Sequence, residues 1–200
     1  DWATNQPTIE VTGTSASADD ISALITSFNS AGYTATANKI DAVGLTFTGT
    51  ADNVLTVLTS AVVLEDADPA VTLSDATINA ATLILVKAET SSVDVSTATT
   101  VSGLADDVNT VLAVGYVTGL GTEAVTLTDT GEVAATTLSS IASLTTGTIA
   151  AAGVTTVTGT ADQVIAAYDL APRLSGLGNE AVTLEDTNLD ASKLATTITD

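Results

Sequence analysis

The chain has 200 residues (19.8 kDa) and carries 24 Asp+Glu against 4 Lys+Arg, a formal net charge of -20, with no His, Cys or Met. That excess of negative charge opposes nucleic-acid binding, which rests on Lys and Arg at phosphates; the lack of His and Cys removes His/Cys zinc sites, cysteine nucleophiles and His-based triads. Hydrophobic residues still make up 45% of the chain and charged ones only 14%, which points to a folded core of small aliphatics rather than a disordered acidic polymer.

From the first residue, 1–39 reads as an irregular N-terminal capping segment: Ile9–Thr12 is strand-like, but the stretch holding Gly32, Tyr33 and Lys39 keeps no clear period. Residues 40–200 are orderly. Val/Thr alternation at period two predicts strands at Leu45–Thr48, Val71–Leu73, Thr99–Val101, Val125–Leu127, Val154–Val157 and Val182–Leu184. Between them run helical patterns at i, i+3, i+4: Val108, Val111 and Leu112 behind Ala105, then Leu138, Ile141 and Leu144, then Val164, Ile165 and Tyr168. Thr160-Ala-Asp-Gln163 spells a capping box. Asp106, Asp107 and Asp162 fall in first turns, where the helix dipole favours negative charge, and Asn79 and Asp190 stand where caps belong.

The chain repeats itself. Ala70-Val-Thr-Leu-Ser-Asp75 returns as Ala124-Val-Thr-Leu-Thr-Asp129 and Ala181-Val-Thr-Leu-Glu-Asp186, at offsets of 54 and 57 residues. A second marker alternates with it: Gly49-Thr-Ala-Asp-Asn-Val54, Gly103-Leu-Ala-Asp-Asp-Val108 and Gly159-Thr-Ala-Asp-Gln-Val164. Gly119-Leu-Gly-Thr-Glu123 is matched by Gly176-Leu-Gly-Asn-Glu180. Half of the double unit is about 27 residues of strand, turn and helix, too small to bury its own faces, so neighbours must stack. The expected fold is α/β, a right-handed solenoid of such coils with a short parallel sheet; a mostly-β helix is the alternative.

The strings AVTLSD (70–75), TTVTGTADQV (155–164), TTGTI (145–149) and GLGNEAVTLED (176–186) resemble tandem repeats of very large secreted surface proteins of bacteria, marine cyanobacteria in particular. The resemblance covers residues 40–200 and implies an extracellular structural repeat of the surface-layer, adhesin-like or motility-associated kind. No signal peptide or membrane span is visible, and the chain reads as a processed subunit or a piece of a longer protein whose export signal lies outside it.

Candidate chemistry is sparse. Glu65, Asp66 and Asp68, ahead of Pro69, are oxygen ligands at a spacing that suits calcium, against a plain reading as a solvated loop. Asp75, Asp129 and Asp186 are expected to end strands and to form a row two coils apart, not a glycosidase pair. The Gly-Leu-Gly turns follow a helix pattern and precede a strand, the wrong order for a phosphate loop, and are expected to be helix C-caps. Thr serves as a strand former rather than an ice-binding ladder. Trp2, Tyr116 and Tyr168 read as packing anchors, and Arg173 as one half of an ion pair. The expectation is a non-enzymatic, extracellular protein that assembles with itself or with flanking repeats into a surface layer, filament or giant surface protein. Its alternative is an adhesin or fibre module that binds a carbohydrate or surface partner; calcium is the one cofactor considered.

Overall fold

A computed structural model describes residues 8–30 and 40–188. In chain order it has β1 (Ile9–Glu10), β2 (Ser15–Ser17), α1 (Ala18–Ser30), β3 (Ile40–Asp41), β4 (Thr46–Gly49), α2 (Ala51–Leu58), β5 (Val63–Leu64) and β6 (Val71–Leu73). Next come β7 (Thr77–Asn79), α3 (Ala80–Glu89), β8 (Val93–Asp94), β9 (Thr100–Gly103), α4 (Ala105–Leu112), β10 (Ala124–Leu127) and β11 (Glu132–Ala134). The described chain ends with α5 (Ala135–Leu144), β12 (Ile149–Ala150), β13 (Thr156–Gly159), α6 (Ala161–Tyr168), β14 (Leu174–Ser175) and β15 (Ala181–Leu184). The fold is α/β, and the strand pairs are parallel. Parallel pairing follows from the connections, because a helix or a long stretch of chain separates each strand from its partner.

Two compact units are present. The first holds the described residues up to Ala76 with Thr82–Thr97 and Val117–Gly119. In it β1-β3-β5 form one ladder and β2-β4-β6-β8 another, and α1 packs on α2. Each tier is thus two short strands and a helix. Residues 8–30, read above as irregular, follow the same plan through β1, β2 and α1. The inward row Phe47, Val71 and Val93 is in register and buried.

The second unit holds Thr77–Ala81, Ala98–Tyr116 and the described residues from Leu120 on. Its ladders are β7-β9-β10-β12-β14 and β11-β13-β15, with α4, α5 and α6 packed in succession. Ile78, Val101, Val125, Ile149 and Leu174 face one another along five strands, all buried. Removing each such side chain from water contributes about 1.5–3 kcal/mol before chain entropy is set against it. The helices add Val108, Val111, Leu138, Ile141 and Val164 from the faces that the periodicity predicts.

Successive partners in the second unit, such as Val101, Val125, Ile149 and Leu174, are 24 or 25 residues apart, fewer than the 27 of the marker spacing. The reason is a change of ladder. After two tiers the chain makes a short step from Ile149 in one ladder to Val157 in the other. The marker strands β9 and β13 therefore lie in different ladders, as do β10 and β15. The marker period counts two tiers plus that step.

Candidate functional site: carboxylates between tiers

The three repeated aspartates share one partner type. Ala51 N–H donates to Asp75 Oδ2 at 2.7 Å, Ala105 N–H to Asp129 Oδ2 at 2.9 Å, and Ala161 N–H to Asp186 Oδ2 at 2.7 Å. These alanines open α2, α4 and α6. Each aspartate closes one marker and caps, from the next tier, the helix opened by the other marker. The first N–H groups of a helix have no internal acceptor, and a carboxylate there also meets the positive end of the helix dipole. Beside each cap a backbone bond fixes the register: Ser74 N–H to Gly49 O, Thr128 N–H to Gly103 O and Glu185 N–H to Gly159 O, at 2.9, 2.9 and 3.0 Å.

The expected row of aspartates does not form. Asp129 follows β10 in the five-stranded ladder and Asp186 follows β15 in the three-stranded one. The ladder change separates them.

Helices α1, α3 and α5 start differently. The glycines that end β4, β9 and β13 lie over their first alanines, so that a Cβ built on Gly49, Gly103 or Gly159 would meet the Cβ of Ala18, Ala80 or Ala135 at 3.0, 2.9 and 3.4 Å. Glycine is needed there because the backbone of one tier runs against the helix start of another. Asn79 stands immediately before α3, and Thr160 with Gln163 makes the full capping box at α6.

Glu65, Asp66 and Asp68 turn to separate partners. Gly44 N–H donates to Asp66 Oδ2 at 2.8 Å. Ser91 N–H at 2.6 Å, the Ser91 hydroxyl and the Thr90 hydroxyl all donate to Asp68, and these bonds hold its carboxyl below the usual range. Glu65 Oε2 is enclosed and has no hydrogen-bond partner. Burial first, then the negative charges of Glu89 and Asp66, push the Glu65 carboxyl up to about 7. Among the described residues no group of three acidic side chains is arranged to hold a metal ion.

The Gly-Leu-Gly turns are not helix C-caps, contrary to expectation. Helix α4 ends at Leu112 and α6 at Tyr168, and Gly176 directly follows β14. Their N–H groups do make an anion-binding concavity, but the chain fills it with its own carboxylate. Gly121 and Thr122 N–H donate to Glu123 Oε2 at 2.6 and 3.0 Å, and Asn179 N–H donates to Glu180 Oε2 at 3.0 Å beside Gly178 N–H. Glu123 is buried. Glu180 also accepts the Tyr168 hydroxyl. Burial works to raise Glu180, but the Tyr168 hydroxyl and the loop N–H groups outweigh it and hold the carboxyl below its ordinary value, while Tyr168 is pushed up by burial and by Glu180. Sequence reasoning missed this role of the glutamates; the signal was their fixed place two residues past the second glycine in both copies.

The two described cations close helix ends. Lys87 Nζ donates to Thr90 O and Ser91 O at 3.4 and 2.6 Å after α3. Arg173, expected in an ion pair, instead donates from Nη2 to Ala142, Thr145 and Gly147 carbonyls at the end of α5, where the dipole favours positive charge. Buried Thr145 ties the same turn to another tier, its hydroxyl donating to Glu123 O at 2.7 Å. Trp2, Lys39, Asp190 and Lys193 lie outside the described residues. No helix among the described residues is long and apolar enough to cross a membrane. Comparison with protein-family models, with curated proteins and with solved structures gives no match to the chain.

Proposed function

We propose that this chain is a structural repeat protein without enzymatic activity. Its strand–strand–helix tiers are coils of a right-handed solenoid, and it works at the cell surface as a self-assembling element of a surface layer, filament or giant surface protein. The observation that carries this reading is the thrice-repeated bond from a helix-opening N–H to the aspartate of the next tier, Asp75, Asp129 and Asp186. Among the described residues, these repeated aspartates are the most regular polar groups, and they hold tier to tier. A carboxylate already held by backbone donors is poorly suited to move protons, whereas a repeated contact that reaches 24 or 25 residues along the chain to the next tier is what propagates a stack. The carboxylate-filled Gly-Leu-Gly turns fit the same account, since an anion site closed by its own glutamate takes no phosphate ligand.

Negative-stain microscopy of the purified chain, across salt concentrations and with or without EGTA, tests the reading. Ordered sheets or filaments are expected, and their loss in EGTA would place calcium in the assembly. A monodisperse monomer under every condition would overturn it.

A further inference from the structure

We propose that the free edge of β15 takes the β1 edge of a second copy of this chain, in parallel and with Val182 opposite Ile9, so that copies join head to tail. This deepens the assembly reading above and rests on it, by naming the edge through which one copy meets the next.

The ladders share an order of strands. In β2-β4-β6-β8 and in β7-β9-β10-β12-β14 the first strand runs straight into a helix that opens with alanine, and the second ends in the marker glycine, Gly49 or Gly103. The third carries the Ala-Val-Thr-Leu string, 70–73 or 124–127. The ladder β11-β13-β15 repeats this order, with Gly159 ending its second strand, and among the described residues it stops at the third. In the other two a fourth strand covers the third: Val71 pairs with Val93 and Val125 with Ile149, 22 and 24 residues on. Only 18 residues of the sequence follow Val182, so that spacing brings β15 no fourth strand from them. Burial shows the consequence. Val71 and Val125 are 2% and 1% exposed, whereas Val182, which holds the same place, is 37% exposed.

The ladder β1-β3-β5 is open on its other side. β1 is its first described strand, and Ile9, opposite the buried Ile40, is itself 37% exposed. In a parallel ladder each strand turns one edge to the strand before it and the other to the strand after it. β15 has its forward edge free and β1 its backward edge, so the two match as β6 and β8 do; two β15 edges could meet only antiparallel.

In the covered ladders the valine N–H makes the step forward, Val71 N–H to Ser92 O at 2.9 Å and Val125 N–H to Thr148 O at 2.7 Å. The corresponding bond runs from Val182 N–H to Thr8 O of the second copy. This register joins the inward row of Val157 and Val182 to that of Ile9 and Ile40, whereas a slip of one residue would turn every side chain to the other face. The contact is heterologous, so each joined copy keeps a free edge for the next. Acidic residues flank both edges, Glu185 and Asp186 after β15 and Glu10 in β1, so joining calls for salt to screen them.

The chain has no cysteine, and an introduced pair therefore reports the joint directly. Thr183 and Glu10 fall opposite each other in the proposed register, at a strand separation that a disulfide can span. Under mild oxidation in about 1 M NaCl, where the Debye length is about 3 Å, the double variant T183C/E10C should give dimers, trimers and longer species on a non-reducing gel. A mixture of T183C with E10C should stop at the dimer. V182P removes the forward N–H and leaves Ala181 N–H on Thr155 O; it should weaken assembly measured by sedimentation about tenfold. Cross-linking by T183C alone as strong as in the mixture would bring two β15 edges together and overturns the proposal. Wild-type assembly without any cross-link in the double variant also overturns it and gives the edge to another occupant. The assembly reading stands in both cases, whereas a wild type that stays monomeric at every salt concentration overturns both. If V182P does not fold, the cross-links decide.

Discussion

Helices α4 and α6 open with the same marker and receive the same aspartate from the next tier, yet their own first turns are built differently. At α6 the Thr160 hydroxyl accepts from Gln163 N–H and the Gln163 side chain accepts from Thr160 N–H, with Asp186 on Ala161 N–H in addition. At α4 the position of that threonine is Leu104, which is 52% exposed and makes no side-chain cap. Asp129 is then the side-chain acceptor found at that start. Helix α2 stands between the two, with Thr50 on Asn53 N–H and Asp75 on Ala51 N–H. The local cap varies from copy to copy while the bond between tiers is kept. This difference shows which interaction the repeat is built on: a helix of eight residues is too short to hold itself together and takes its stability from its neighbours.

The largest expected effect tests that ranking. Asp129→Ala should destabilise the second unit by about 2 kcal/mol, because it removes a charged cap and leaves a part-buried N–H with no acceptor. Asp186→Ala should cost about 1 kcal/mol or less, since the capping box at α6 remains. Urea unfolding followed by helical circular dichroism measures both. Equal losses would mean that the local caps contribute nothing and that the comparison between α4 and α6 is empty.

A gain of function sharpens it. Leu104→Thr gives α4 the cap that α2 and α6 already possess, at a position whose exposed leucine contributes little burial. The variant should be stabilised by about 1 kcal/mol. Asp129→Ala should still destabilise in that background, because the aspartate serves Ala105 N–H and the threonine would serve a different donor two residues on. If Leu104→Thr fully offsets the loss of Asp129, the two caps are interchangeable and the bond between tiers has no special place.

These contrasts also show what could be read in the linear chain. The six strands expected from Val/Thr alternation each overlap an observed one, because three or four alternating residues carry a period. Strands such as β3, β5, β8, β12 and β14 have two residues each, and two residues have no period to detect; the ladder that contains them defines them. The constancy of Asp75, Asp129 and Asp186 was plain, but their partner was not. It is a backbone N–H 24 or 25 residues earlier, identical in chemistry to every other N–H of the chain. The spacing of Glu65, Asp66 and Asp68 suggested a shared ligand, whereas the two aspartates bond to the tiers on either side and one oxygen of the half-buried glutamate is enclosed without a partner. The change of ladder left no mark on composition at all. It appeared only as a half-period somewhat longer than one tier.

The smallest effect concerns the two glutamates that fill Gly-Leu-Gly turns. Glu123 is buried and rests on loop N–H and Thr122 hydroxyl donors, whereas Glu180 is half-buried and adds the Tyr168 hydroxyl. Tyr168→Phe removes that one donor and leaves the ring in place. The expected loss is about 0.5 kcal/mol at neutral pH, discounted because the group is partly solvated. Its pH dependence identifies the cause. Glu180 is held below its ordinary value, so the stability it contributes is present above that value and is lost as pH falls through the depressed one. The variant should therefore differ from wild type at neutral pH and converge with it in acid, where the carboxyl is protonated in both. A difference that persists unchanged into acid would assign the effect to ring packing and leave the loop N–H groups as the whole support of Glu180.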